Sequence, residues 1–167
     1  PATTGSPVGT YPITASGAAD ANYIISYVQG TLTVTGSLTF NAIASKVYGS
    51  ADFNPGATST GGSITYTSGN TAVATIISGN IHVVGVGTST ITANNGTSSL
   101  QQTLTVTPAG LTATANNQSK TYGSANPSLT ISYSGFANGE NNSVVTTPAT
   151  ITTTATTASP VGSYPIT

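Results

Sequence analysis

A near-exact internal repeat constrains this chain more than any other feature. The nonapeptide SPVGTYPIT at Ser6–Thr14 returns as SPVGSYPIT at Ser159–Thr167, 153 residues further along. Self-similarity at a fixed period is typical of repeat proteins, in which one structural unit recurs along the chain. Because the repeated segment lies near both ends, we expect the chain to be one period plus a short overlap, with boundaries that fall inside a repeating domain.

The charge content narrows the classes of function. Only 3% of the residues are charged, and Lys46 and Lys120 are the only Lys or Arg residues, whereas about 25% is usual for a soluble domain. Two cations cannot form a basic face for nucleic acid or a basic membrane helix, and no interval is apolar enough to predict a membrane span. The chain has no Cys, so we expect its stability to come from sheet packing instead of disulfides or thiolate metal sites.

Hydrophobic alternation predicts an all-β fold. Apolar residues alternate with Thr or Ser in five segments: Thr31–Thr35, Ser63–Thr67, Ser89–Ala93, Thr103–Thr107 and Ser128–Ser134. This period of two is typical of half-buried strands. Turn-forming pairs such as Asn95-Gly96 and Gly79-Asn80 separate the segments. The pattern favours tandem immunoglobulin-like β-sandwiches.

A second internal sequence repeat predicts the domain boundaries. KVYGSA at Lys46–Ala51 recurs as KTYGSA at Lys120–Ala125, and TLTVT precedes a short junction at both Thr35 and Thr107. We therefore divide the chain into residues 1–35, the C-terminal part of one repeat type; residues 36–107, a complete domain; and residues 108–167, the N-terminal part of the next copy of the first type. The period is about 153 residues.

When the two ends are joined through this period, four motifs follow one another: KTYGSANPSLT, YSGFANGE, SPVGSYPIT and ANYIISYVQGTLTVT. In this order they closely resemble the MBG repeat of very large secreted bacterial surface proteins and adhesins. The resemblance covers residues 1–35 and most of 108–167. It implies a structural module at the cell surface, and it carries over no catalytic residue.

The middle block departs from that pattern after KVYGSADF. Its segments ITYTSGNTAVATI and GNIHVVGVGTSTITA resemble a bacterial immunoglobulin-like repeat of group 2, with Tyr66 in place of the usual Trp. This resemblance implies a β-sandwich over residues 36–107 and a stalk or fibre role.

The recurring lysines are candidate site residues. Lys46 and Lys120 occupy equivalent positions in a chain that has few other charges. One hypothesis is an intramolecular isopeptide bond, for which Lys120, Glu140 and an asparagine could supply the groups. The alternative is a lysine at a strand edge, where its charge discourages mispairing and its amine reaches a carbonyl or acid.

Two further sets of residues are candidates for contact with sugars. Tyr23 and Tyr27 in NYIISYV are four residues apart, so we expect them on the same side of a strand, where they could contact a glycan. The sequence also contains three glycosylation sequons, at Asn95, Asn117 and Asn141. His82 alternates with apolar neighbours and is expected to point into solvent.

These observations favour a structural repeat module of an extracellular fibre, stalk or adhesin shaft at a bacterial cell surface, self-associating through uncharged Thr-rich sheets. We expect no enzymatic activity, no catalytic or metal site, no cofactor and no nucleic-acid partner. The expected partners are copies of the chain itself, in head-to-tail, lateral or strand-exchange contact. The alternative is a module that binds carbohydrate or a host or neighbouring cell surface. Ice binding is disfavoured, because the Thr ladders lack a short strict period.

Overall fold

The computed structural model describes residues 2–167, which form an all-β protein with twelve strands and one short 3₁₀ helix. The strands are β1 (Gly9–Ile13), β2 (Gly30–Val34), β3 (Leu38–Thr39), β4 (Lys46–Val47), β5 (Thr58–Ser59), β6 (Thr65–Ser68), β7 (Ala74–Ile77), β8 (Asn80–Val83), β9 (Gly87–Asn94), β10 (Ser99–Thr107), β11 (Thr112–Ala115) and β12 (Ile131–Ser134), and the helix is Asn142–Val144. The described residues contain no helix with the length and apolarity that a membrane crossing requires.

The chain divides into two compact units. The first runs to Lys46 and continues over Ser50–Thr107, and the second combines Val47–Gly49 with Pro108–Thr167. The first unit contains the largest sheet, in the order β4-β10-β9-β6.

The antiparallel pair β9–β10 is the centre of the first unit. Ser99 lies opposite Asn94, and the register continues to Val106 opposite Gly87. The connecting turn contains Gly96 at φ +88°, a conformation that glycine adopts without a steric penalty. Along both strands buried and exposed residues alternate, so that threonines face outward on the side opposite the core.

A second layer completes the core of the first unit. The hairpin β7–β8 turns through Ser78 and Gly79, both at positive φ, as a two-residue turn of the primed type requires. Side chains of this hairpin and of the large sheet are buried together with Phe40 and Val73; the buried hydrophobic residues are Phe40, Val73, Ala74, Ile81, Val83, Ile91, Ala93, Leu104 and Val106. The fold is therefore sandwich-like, as the alternation predicts.

The segment before this core forms a small separate sheet within the first unit. Strands β1 and β2 pair antiparallel, with Tyr11 opposite Leu32. The connection Thr14–Gln29 contains no strand. The expectation that Tyr23 and Tyr27 lie on a strand is therefore wrong, because the segment has no neighbouring strand to supply backbone hydrogen bonds in this structure.

The second unit has little regular structure. Strands β11 and β12 pair antiparallel, with Thr112 opposite Ser134. An isolated bridge joins Thr153 to Ile166. None of its described residues is fully buried, in contrast to the first unit.

The five segments with a period of two each contain a strand. They correspond to β2, β6, β9, β10 and β12, so the fold-class prediction is confirmed. The short strands β4 and β5, each of two residues, were not predicted, because two residues are too few to show a period.

Two leucines in β10 differ in burial, and this difference gives a test of the hydrophobic core. Leu104 in β10 is fully buried and Leu100 in the same strand is 39% exposed. We expect Leu104→Ala to lower the free energy of unfolding by about 2–5 kcal/mol, because it removes packed methyl groups and leaves a cavity. Chemical denaturation followed by circular dichroism measures the change. Leu100→Ala is the matched control, for which we expect less than about 1 kcal/mol; equal losses would contradict the core described here.

Candidate functional site

The two lysines make different contacts although their sequence contexts are alike. Lys46 Nζ lies 4.4 Å from the centre of the Phe53 ring, a cation–π geometry. Lys120 Nζ donates hydrogen bonds to the carbonyl oxygens of Ser124, at 3.1 Å, and Thr156, at 2.6 Å. Lys120 therefore ties two loops of the second unit together through their backbones.

Glu140 is held by a tyrosine instead of a lysine. The Tyr48 hydroxyl donates to Glu140 Oε1 at 2.7 Å, within the second unit. The Glu140 backbone N–H donates to the Ala137 carbonyl at 2.9 Å, in a turn where Asn138 has φ +52°. The three groups of an isopeptide site must lie in contact, and among residues 2–167 Lys120 and Glu140 form no ion pair and have different hydrogen-bond partners.

The structure places an acidic residue beside the single histidine. His82 Nδ1 lies 2.7 Å from Asp52 Oδ1, and their side chains are 46% and 43% exposed. His82 points outward from β8, while its neighbours Ile81 and Val83 are buried. Sequence reasoning missed the pair because thirty residues separate the two positions. Among residues 2–167, no group of three or more His, Cys, Asp or Glu residues is arranged to hold a metal ion.

The two tyrosines proposed for glycan contact lie in the irregular connection between β1 and β2. Tyr23 is 75% exposed and Tyr27 is 45% exposed. The Tyr27 hydroxyl donates to the Ala18 carbonyl at 2.9 Å. Ile24 and Val28, which lie between and beside them, are more exposed still, at 104% and 88%, so the surface here is apolar and not a defined sugar pocket.

The three sequon asparagines differ in accessibility. Asn95 is only 4% exposed; its amide nitrogen donates to Ser59 Oγ, and its oxygen accepts from the backbone N–H of Thr97 and of Ser98. The folded chain therefore does not present Asn95 to a glycosylating enzyme. Asn117 and Asn141 are exposed, and the Asn141 side chain caps the 3₁₀ helix by accepting from the Ser143 N–H.

The two copies of the repeated nonapeptide have the same local geometry. The Tyr11 hydroxyl donates to the Pro7 carbonyl at 2.7 Å, and the Tyr164 hydroxyl donates to the Pro160 carbonyl at 3.0 Å. A tyrosine that ties its hydroxyl to the backbone a few residues upstream is a known corner device of β-sandwiches. The sequence repeat therefore has a structural counterpart.

The turn before each tyrosine is also reproduced. The Thr3 N–H donates to Ser6 Oγ at 2.6 Å, and the Thr156 N–H donates to Ser159 Oγ at 2.8 Å. In both turns the serine N–H returns to the threonine carbonyl, at 3.0 Å and 3.1 Å. Each copy is thus a threonine-to-serine turn followed by the anchored tyrosine.

A groove of about 560 Å³ runs along the second copy of the nonapeptide. Apolar side chains that line it include Pro127, Leu129, Val161, Tyr164 and Ile166. Val161 is 92% exposed and Tyr164 is 36% exposed. Polar side chains, among them Asn117, Gln118 and Asn126, line the groove as well.

The fold and these contacts define an all-β protein with a structurally repeated corner. A family model of the MBG domain (YGX type) matches residues 1–33 and 111–167, more than half of the chain. The chain belongs to the MBG domain family. The match has the same two parts as the resemblance seen in the sequence and contains the motif KTYGSA. A comparison with curated proteins gave no match.

The lysine contacts give a test of the isopeptide hypothesis. Because Lys120 donates to carbonyl oxygens, we expect its amine to be unmodified. Mass spectrometry of the denatured chain is expected to give the full mass of the sequence, and trypsin to cleave after both Lys46 and Lys120. A mass lower by one ammonia, with resistance to cleavage at Lys120, would establish the bond and contradict this expectation.

Proposed function

We propose that this chain is a structural module that extends a secreted fibre, stalk or adhesin shaft at a bacterial cell surface. Membership of the MBG family indicates a repeat module of a surface protein. The observation that supports the finer proposal is the corner repeated at Tyr11 and Tyr164, since it occurs at both ends of a 153-residue period with the same hydrogen bonds. A unit that recurs in this way adds length with each copy.

The block between the two matched ranges is proposed to be an immunoglobulin-like domain of group 2. Its buried apolar layer lies between the large sheet and β7–β8. Tyr66, which stands where the group 2 pattern has Trp, packs at 6.0 Å against the Phe40 ring, and its hydroxyl accepts from the Ala57 N–H. These contacts support a half-buried aromatic ring that packs against the core at this position.

The proposed partners are further copies of the chain, and the proposed location is extracellular. With 3% charged residues and a net charge of −1, electrostatic repulsion between copies is weak. Exposed threonines along β9 and β10 give a hydrated surface without charge. The proposal assigns the chain no catalytic step and no cofactor.

A carbohydrate-binding role is the second candidate. The exposure of Tyr23 and Tyr27 favours it, since aromatic rings without apolar cover can stack on sugars. The neighbouring Ile24 and Val28 favour a protein partner instead, because fully exposed aliphatic side chains gain little from a hydrated glycan.

The length of proteins made of tandem copies tests the proposed structural role. Proteins made of one, two and four tandem periods of this sequence are expected to form particles whose longest dimension grows by a constant increment per period. Small-angle scattering and negative-stain electron microscopy measure that dimension. A matched protein in which Phe40→Ala removes the buried ring from each middle domain is expected to lose the regular increment. Collapse of the unsubstituted proteins into compact particles would contradict the proposal.

Glycan binding can be tested separately. We expect the chain to show no more binding on a glycan array than its variant with Tyr23→Ala and Tyr27→Ala, because the irregular segment gives no enclosed site for a sugar. Tyr122→Ala is the control, since Tyr122 is similarly exposed, at 65%, outside that segment. Binding that is lost only in the double variant would establish the second candidate.

A further inference from the structure

The sequence contains two Asn-Gly pairs, Asn95-Gly96 and Asn138-Gly139. Asparagine followed by glycine is chemically prone to lose its side-chain amide, because glycine has no side chain to hinder attack by its backbone nitrogen on the asparagine. The local structure decides whether that attack can occur. Because the two pairs have the same sequence, a difference between their surroundings shows what the fold does to this reaction.

The structure protects the first pair. Asn95 is only 4% exposed, and its Nδ2 donates to Ser59 Oγ at 2.9 Å. The Gly96 N–H, which is the attacking group, donates to Asn94 Oδ1 at 2.6 Å. Both reacting groups would have to give up hydrogen bonds in a buried place, which costs free energy. We therefore expect Asn95 to be inert in the folded chain.

The second pair lies in an exposed turn of the second unit. Asn138 has φ +52° and Gly139 has φ +73°, and the Glu140 N–H donates to the Ala137 carbonyl at 2.9 Å. Positive φ at both central residues is typical of a type I′ turn. Asn138 and Gly139 are exposed, and among residues 2–167 neither the Asn138 side chain nor the Gly139 N–H has a hydrogen-bond partner. Both reacting groups are therefore available.

We propose that Asn138 is a site of spontaneous deamidation. The Gly139 nitrogen attacks Asn138 Cγ and loses its proton, and the bond from Cγ to Nδ2 breaks to release ammonia, which leaves a cyclic succinimide. Water then adds to one of the two carbonyl carbons of the ring and breaks its bond to the nitrogen. Opening at Cγ gives aspartate, and opening at the backbone carbonyl gives isoaspartate. Water is the only reactant besides the chain.

The product differs from the original turn in charge and in backbone. A neutral amide becomes a carboxylate, so the formal net charge changes from −1 to −2. The new carboxylate lies two residues from Glu140, and like charges at close range disfavour each other. Isoaspartate also adds one carbon atom to the main chain, which a type I′ turn does not accommodate.

This turn holds a segment from an earlier part of the chain. The second unit includes Val47–Gly49, and the Tyr48 hydroxyl donates to Glu140 Oε1 at 2.7 Å. A Cβ added at Gly49 would lie 2.5 Å from the Ala137 Cβ, so the segment lies directly against the turn. Glu140 and Ala137 are the two residues that close the turn.

Deamidation and the tyrosine contact therefore affect each other. The succinimide ring forces the Asn138 backbone out of the turn conformation, so the turn must open before the ring can form. A turn that the bond between Tyr48 and Glu140 keeps closed opens less often, and the bond slows the reaction. The modified turn no longer places Glu140 at Tyr48, and the segment is released. Asn138 is thus a slow, irreversible switch, and this inference does not depend on the proposed function.

Peptide mapping after incubation at mildly alkaline pH tests the inference, since base removes the proton of the attacking nitrogen. Trypsin cleaves after the two lysines, so Asn95 falls in fragment 47–120 and Asn138 in fragment 121–167. In the folded chain we expect the mass change of a carboxyl replacing an amide at Asn138, with at least about tenfold less at Asn95. In guanidinium chloride we expect both sites to react at similar rates.

Asn138→Gly is the matched control, because glycine adopts the same positive φ and has no amide to lose. We expect no change at this position in that variant, and any change that remains in fragment 121–167 measures the other asparagines. If Asn138 reacts no faster than Asn95 in the folded chain while both react in the unfolded chain, the proposed site is wrong.

A second variant tests the coupling to the tyrosine. Tyr48→Phe removes the hydroxyl that bonds Glu140, and we expect Asn138 to react severalfold faster in it. Tyr164→Phe removes a comparable hydroxyl, which donates to the Pro160 carbonyl in the same unit, and is expected to leave the rate at Asn138 unchanged. Circular dichroism establishes that both variants fold. Equal rates in the two variants would overturn the coupling.

Discussion

Removal of apolar side chains from water is achieved in one place only among residues 2–167, the layer between β9–β10 and β7–β8. Ile81, Ile91 and Leu104 are fully buried there, and the isolated bridge Phe53↔Ile81 joins the loop before β5 to β8. Because hydrophobic burial supplies most of the free energy that offsets chain entropy, this layer stabilises residues 36–107 of the first unit. The two segments of the MBG family lie outside it and depend on local hydrogen bonds.

Those local bonds are well developed. The tyrosine anchors at Pro7 and Pro160, the threonine-to-serine turns and the contacts of Lys120 with backbone carbonyls fix the course of the chain without a core. Individual hydrogen bonds contribute little net stability in water, about 1 kcal/mol each. They fix the local conformation of segments in which no described side chain is in the buried class.

Sequence reasoning predicted the strands in which apolar and polar residues alternate. It failed on particular side chains, and the reasons can be identified. The alternation in Ser89–Ala93 and Thr103–Thr107 predicted β9 and β10 because a half-buried strand must alternate. The same logic failed for Tyr23 and Tyr27, since a strand also needs a neighbour. Asp52 was not connected with His82, nor Tyr48 with Glu140, because contacts across long separations leave no periodic signal. The sequon at Asn95 likewise gave no sign that the folded chain buries its amide.

The sequence by itself determined the all-β class, the repeat period and the family, because these depend on local alternation and on motifs that recur in order. The tertiary structure alone decided where the core lies, and that Lys46 contacts an aromatic ring whereas Lys120 contacts backbone carbonyls. Those features depend on which distant segments are brought together in space, and nearly identical motifs such as KVYGSA and KTYGSA can therefore have different surroundings.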